Sequence, residues 1–205
     1  MTQSYEPRLQ PVAIASFRPT QMTVGFHEVA SKRLEWRAHA GRNGAKFLGR
    51  HMVPVVLGPK KRAYLIDHHH LARALQEEGV EHVLTSVVAD LSGLGKPEFW
   101  SVMDHYRWTY PFDAKGMRQP HDRLPKTVAD LVDDPYRSLA GALRTSGGYA
   151  KDNTPFSEFM WADFLRNRVD ARALHKDFKG AVAEAMKLAR TKAASHLPGW
   201  CGPDD

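Results

Sequence analysis

Hydrophobic and polar positions alternate differently in the two halves of the chain. Up to about residue 92 the apolar residues come in short β-branched runs. "VPVVLG" (Val53–Gly58) and "AYLI" (63–66) flank "PKKR", which reads as a turn, so the three predict a hairpin. "EHVLTSVVADLS" (81–92) predicts a further strand around residues 83–89. Ahead of the hairpin, "GFHEVASKRLEWRAHA" (25–40) carries Val29, Leu34 and Trp36 among its apolar positions and predicts a helix.

From about residue 96 the spacing becomes helical. "KPEFWSVMDHYRW" predicts a helix with Pro97 in its first turn, and "KTVADLVDD" predicts another. "DPYRSLAGALR" and "NTPFSEFMWADFLRNR" open with Asp134-Pro135 and Thr154-Pro155, where proline suits the first helical position. Residues 175–194 predict one Ala-rich helix. Phe99, Trp100, Tyr106, Trp108, Tyr110 and Phe112 predict mainly core packing, with 108–112 as an alternative pocket wall. "KGMRQPHDRLP" (115–125) supplies loop cations. Strands followed by helices give an α+β class, divided into an α+β part over 1–95 and a helical part over 96–205 in one compact unit.

The hairpin runs straight into "IDHHHLARAL" (66–75), and this junction holds the candidate chemistry. Asp67 is placed to cap the helix, and the amides of a first helical turn also form an anion site. At about 100° per residue, His68 falls on the apolar side with Leu71, Ala72 and Leu75, whereas His69 shares a more open face with Arg73. Three consecutive imidazoles cannot surround one metal ion; a zinc site would need distant ligands such as His27, Glu28 or His51. An imidazole titrating near ~6.5 suits proton transfer, so His69 and Arg73 form an anion-handling pair, or else the triplet is a polar helix start. Glu28 and Lys32 are spaced for an ordinary i, i+4 ion pair, with a general base or metal ligand as the alternative for Glu28. Thr20 and Gln21 either contact a polar ligand or cap the helix after them.

Charge adds one feature. The formal net charge is +6, and between Arg166 and Lys192 eight basic residues face three acidic ones. Such a segment is a solvated surface or a contact for nucleic acid phosphates. A single cysteine, Cys201, fits a reducing compartment, and the N-terminal twenty residues lack the pattern of a secretory leader. No run is long and apolar enough for a membrane span, which together predicts a cytoplasmic protein.

The run "VPVVLGPKKRAYLIDHHHLARAL" resembles the signature of the ParB/sulfiredoxin-like superfamily, in which a hairpin feeds a helix opening with a short polar motif. In the branch similar to free serine kinases that motif is Asp-Gly-His-His-Arg. Here Asp67, His69 and His70 match it, His68 stands in the glycine's place and Leu71 in the arginine's. Upstream, Arg18, Pro19, Thr20, Gln21, Val24, Gly25, Glu28, Val29 and Lys32 resemble the opening of a bacterial subgroup labelled putative ParB-like nuclease. The resemblance implies a small mixed sheet with helices, and three functional readings follow. The first is a domain binding a small phosphorylated or carboxylated ligand, extending to phosphotransfer or hydrolysis with Mg2+ and ATP or ADP. In it Asp67, His69, His70 and Glu28 are catalytic, and Thr20, Gln21, Lys32, His68 and Arg73 contact the ligand. The second is a DNA-binding protein or nuclease using the basic residues from Arg166 to Lys192. The third is a non-catalytic interaction module.

Overall fold

A computed structural model describes residues 8–41 and 43–203; part of the segment read for a leader, residues 1–7, lies outside them. The chain forms two compact units. The first holds residues 8–24 and 29–132 and the second residues 25–28 and 133–203, among those described. The division thus falls at residue 132, not at 95. The reason lies in the helix α4 (Lys96–His105), whose Phe99 and Met103 are fully buried against Val56 of the sheet.

The sheet of the first unit is mixed, with the order β1 (Arg8–Ala13), β6 (His82–Asp90), β4 (Val53–Gly58), β5 (Arg62–Leu65) and β2 (Arg18–Pro19). β4 and β5 are the expected antiparallel hairpin, while β4 pairs with β6, and β5 with β2, in parallel. Lys60 and Lys61 take the left-handed conformation in the turn. β4 is buried on both faces. By strand alternation Val53, Val55 and Leu57 pack with Leu71 and Leu75 of α3 (His69–Glu77), and Val56 packs with α4 on the opposite face. The two-residue strands β3 (Thr23–Val24) and β7 (Val132–Asp133) are separate from this sheet.

Helix α1 (Phe26–His39) matches its sequence pattern, and α2 (Gly44–Arg50) follows it. In the first unit Arg33 and Arg37 of α1 hold Glu78, at the C-terminal end of α3, with bonds of 2.6 to 2.8 Å. These bonds hold the Glu78 carboxyl down to about 2. They also neutralise an acidic group placed at the negative end of the α3 dipole.

In the second unit, α5 (Pro135–Thr145), α6 (Ser157–Arg166), α7 (Ala171–Lys176) and α8 (Phe178–Ala189) pack around Leu139, Leu143, Trp161, Leu165 and Ala185. The expected helix over 175–194 is broken, because Asp177 ends α7 and caps α8 through the Gly180 amide, and a 3-10 turn covers Lys192–Ala194. The basic segment is therefore spread over four short elements and is not one helical face. "KTVADLVDD" forms a 3-10 turn, Val128–Asp130, closed by reciprocal bonds between Thr127 and Asp130. α6 starts after Phe156, which is left-handed, two residues beyond Thr154. Tyr106, expected in the core, is 63% exposed. Among the described residues no helix is long and apolar enough to cross a membrane.

Asp134 caps α5 as its sequence predicts. Its carboxylate accepts the amides of Tyr136 (2.9 Å) and Arg137 (3.2 Å) and an Arg166 guanidinium N–H (2.6 Å), with 1% of the residue exposed. Asp134→Ala therefore loses a buried cap and one of the two carboxylates, the other being Asp163, that hold the Arg166 guanidinium. Urea unfolding of this variant is expected to show a loss of roughly 3 kcal/mol, above the ~1 kcal/mol of an exposed cap.

Candidate functional site

Thr20, just past the end of β2, is the centre of a buried polar cluster in the first unit. Its hydroxyl donates to the Leu65 carbonyl at 2.7 Å, and its own carbonyl accepts the Tyr110 amide at 2.8 Å and the Thr109 hydroxyl at 3.0 Å. Its amide donates to Nε2 of His69 at 3.2 Å. An accepting Nε2 leaves the ring proton on Nδ1, so His69 is a neutral imidazole with a fixed tautomer. Nδ1 has no partner of normal hydrogen-bond geometry, although the Leu65 carbonyl is near enough to favour the protonated ring slightly. Burial outweighs it. With 2% of the residue exposed, and His70 and His68 adding to the effect, the His69 ring is pushed down to about 3.

This geometry corrects the expected facing of the triplet. The helix begins at His69, not Asp67, and its N-cap is His68 at φ 62°, ψ 25°. The left-handed residue turns the chain so that His69 enters the core beside Leu65, and the open face shared with Arg73 does not exist. It also gives a physical reason for glycine at this position in the related motif, since a side chain at positive φ is strained. Asp67 is exposed and caps nothing further along; its carboxylate accepts the neighbouring His68 amide at 2.6 Å. No side chain caps the first turn of α3.

The remaining predicted residues divide between different partners. Arg73 donates to Glu77 at 2.7 Å and to the carbonyls of Val128, Ala129 and Leu131, so its guanidinium braces the 3-10 turn. Leu71 is 4% exposed in the core, where an arginine would have to be buried. Lys32 is paired with Glu35 at 2.9 Å, not with Glu28. Glu28 belongs to the second unit, where Arg137 bridges it at 3.1 Å to Glu158 at 3.2 Å. There His27 stacks on Phe178 with ring centres 3.8 Å apart.

His70 is buried beside His69, and Gln21 is 9% exposed with a buried, unpartnered Oε1. His68 is half-buried, and its Nδ1 is buried without a partner. Burial lowers its pKa, Asp67 opposes this, and His51 and Lys32 lower it further. Asp67, Lys32 and His51 thus all act electrostatically on the His68 ring, and His51 is the one of them that the sequence offered only as a distant metal ligand. His51 donates from Nδ1 to the Phe47 carbonyl at 2.8 Å and lines a cavity of about 370 Å³ with His39, Lys46 and Arg50. Among the described residues no group of three or more His, Cys, Asp or Glu side chains is arranged to hold a metal ion. Thr109 was hidden in the sequence within an aromatic run, and only chain topology places it against Thr20.

Two consequences are measurable. At position 68, Gly should exceed Ala in stability by about 1 kcal/mol in urea unfolding, reversing the usual order, because the left-handed backbone penalises any Cβ. His69 should make the fold acid-sensitive. Its pKa is depressed in the folded state, so its contribution is complete above the unfolded value near ~6.5 and falls as pH drops toward 3. The limiting slope is about 1.4 kcal/mol per pH unit, and unfolding series for wild type and His69→Gln should show that component only in the wild type.

Comparison with known proteins bears on the family of the chain. Residues 10–167 match the family described as "Putative ParB-like nuclease". The crystal structure of protein Atu1540 from Agrobacterium tumefaciens is similar at 62% sequence identity, with a TM-score of 0.90, covering 97% of this chain and 100% of that one. No curated protein matches the chain. On the match across residues 10–167, which takes in the sheet, the α3 junction and α4 to α6, the chain belongs to the ParB-like family of that description.

Proposed function

We propose that the protein binds a small phosphorylated or carboxylated ligand at the start of α3, with a Mg2+-borne nucleotide as its most suitable form. The observation that supports this reading is the first turn of α3. Its N-cap residue His68 makes no side-chain cap bond and leaves a buried Nδ1 without a partner there, and Lys32 and His51 act electrostatically on the same ring. Helix amides and the α3 dipole favour an anion at this position.

Asp67 would repel a bare phosphate. A Mg2+ ion reverses that effect, because it needs only one or two carboxylates besides the phosphate oxygens and waters. The exposed Asp67 carboxylate suits this role, and the absence of a larger acidic cluster among the described residues is compatible with it. In the proposed site Lys32 and His51 contact the anion, His68 contributes its ring nitrogen, and His69 is a positioning residue that fixes the start of α3 against Thr20. His70 is the remaining histidine for proton transfer if the ligand is hydrolysed or its phosphoryl group transferred.

Thermal unfolding with inorganic phosphate, acetate, and ATP with and without Mg2+ tests the reading. ATP with Mg2+ should raise Tm dose-dependently, equivalent to about 2.7 kcal/mol at a hundredfold excess over Kd. Lys32→Ala and Asp67→Asn should each weaken that binding about tenfold, or 1.4 kcal/mol. If none of the four additions stabilises the protein at millimolar concentration, the site is not an anion site.

A further inference from the structure

The opposite face of the sheet from α3 carries a second, independent concentration of positive charge. There a cleft of about 160 Å³ is lined by Arg18, Arg62, Lys96 and Lys126, with Asp122 as its one carboxylate. Arg18 at the end of β2 donates to the Lys126 carbonyl, which ties one cation to the loop that carries another. Arg62 and Lys126 are exposed, and four cations against one carboxylate in a single lining favour an anion there.

The cleft wall is aromatic and rigid. Trp100 of α4 stacks on His121 with centres 4.6 Å apart and planes 7° apart, and meets Tyr64 edge-on at 5.5 Å. His121 is held in turn by Asp104 at 3.2 Å. Two polar groups in this wall matter. The indole Nε1 of Trp100 is buried with no acceptor, and the Tyr64 hydroxyl lies within the fields of both Arg62 and Arg18. A tyrosine hydroxyl and four cations around one small concavity, with an indole beside them, make an anion site with a flat apolar side. Arginine forks suit phosphate oxygens, and aromatic walls beside cations suit the rings of nucleotides.

We infer that this cleft binds the phosphate of a nucleotide unit, with Arg18, Arg62 and Lys126 on the phosphate and Trp100 and Tyr64 on the attached organic part. The volume accepts a phosphate and one ring, and it excludes a duplex from entering. The phosphate can come from a free mononucleotide or from a single-stranded nucleic acid, and the measurement separates the two. This inference does not rest on the α3 site.

The experiment uses the full chain with three probes: uridine monophosphate and inorganic phosphate by calorimetry, and a fluorescent dT oligonucleotide by anisotropy. Binding of the mononucleotide or of the oligonucleotide is expected, and which of them binds identifies the source. Arg62→Glu should weaken it at least about tenfold and lower the salt dependence of oligonucleotide binding by about one phosphate contact. Lys126→Ala, at an exposed loop position, decides the matter if Arg62→Glu fails to fold, and Lys96→Ala removes a further cation of the lining and should also weaken binding. The inference is overturned if neither nucleotide probe binds, if inorganic phosphate alone binds, or if Lys126→Ala and Lys96→Ala both bind as wild type does.

Discussion

The bond from the Thr20 amide to His69 Nε2 is the constraint on which the first unit depends. Thr20 uses every polar group it has. The hydroxyl goes to Leu65 in β5, the carbonyl to Thr109 and Tyr110, and the amide to α3, so one buried residue ties three distant segments together. A buried amide left without an acceptor costs about 1–3 kcal/mol, and in a sheet the acceptor would be a neighbouring strand. Past the two residues of β2 that neighbour is gone, and an imidazole takes its place. The imidazole can do so only while it is neutral. The same burial that makes the bond strong keeps the ring from titrating, so structure and acid–base function compete for this histidine, and structure wins.

The left-handed turn at His68 follows from that requirement. For His69 to reach Thr20, the chain leaving β5 must reverse within Ile66, Asp67 and His68. The conformation that does this leaves His68 at positive φ and the first turn of α3 without a side-chain cap. One Asp67 carboxylate oxygen accepts the His68 amide and caps no amide further along α3. Strain at His68 and open polarity in the first turn of α3 are thus two results of one reversal. Strain of this kind is tolerated where the surroundings fix it, and it concentrates at ligand-handling positions.

Much of this was legible in the sequence. The hairpin, the strand at 82–90, α1, α4 and the Asp134 cap of α5 follow from local alternation, turn residues and proline positions, all of which act over a few residues. The facing of the three histidines did not follow. It depends on which residue starts the helix and on a partner 49 positions away, neither of which periodicity records. Glu28 and Lys32 were misjudged for the same reason. At i, i+4 they can pair, but Arg137 in the second unit offers Glu28 a buried guanidinium, and Glu35 offers Lys32 a nearer carboxylate. The tail misled because alanine-rich spacing stays continuous across Asp177, although a carboxylate there caps a new helix more readily than it continues an old one.

The departures from the Asp-Gly-His-His-Arg motif also become coherent when taken together. Position 71 points into the core with Leu75, Val55 and Leu65, so leucine gains burial that an arginine would forfeit. Arg73 could supply a cation one face away, but its guanidinium satisfies three carbonyls of the turn at 128–131, which would otherwise need water or another donor. Positive charge at the start of α3 must therefore come from outside the motif. Lys32 on α1 and His51 at the end of α2 act electrostatically on the His68 ring, and α1 is held against α3 by the Arg33 and Arg37 bonds to Glu78. The motif is thus more structural in this chain, with His69 bonded to Thr20, Leu71 in the core and Arg73 bracing a turn.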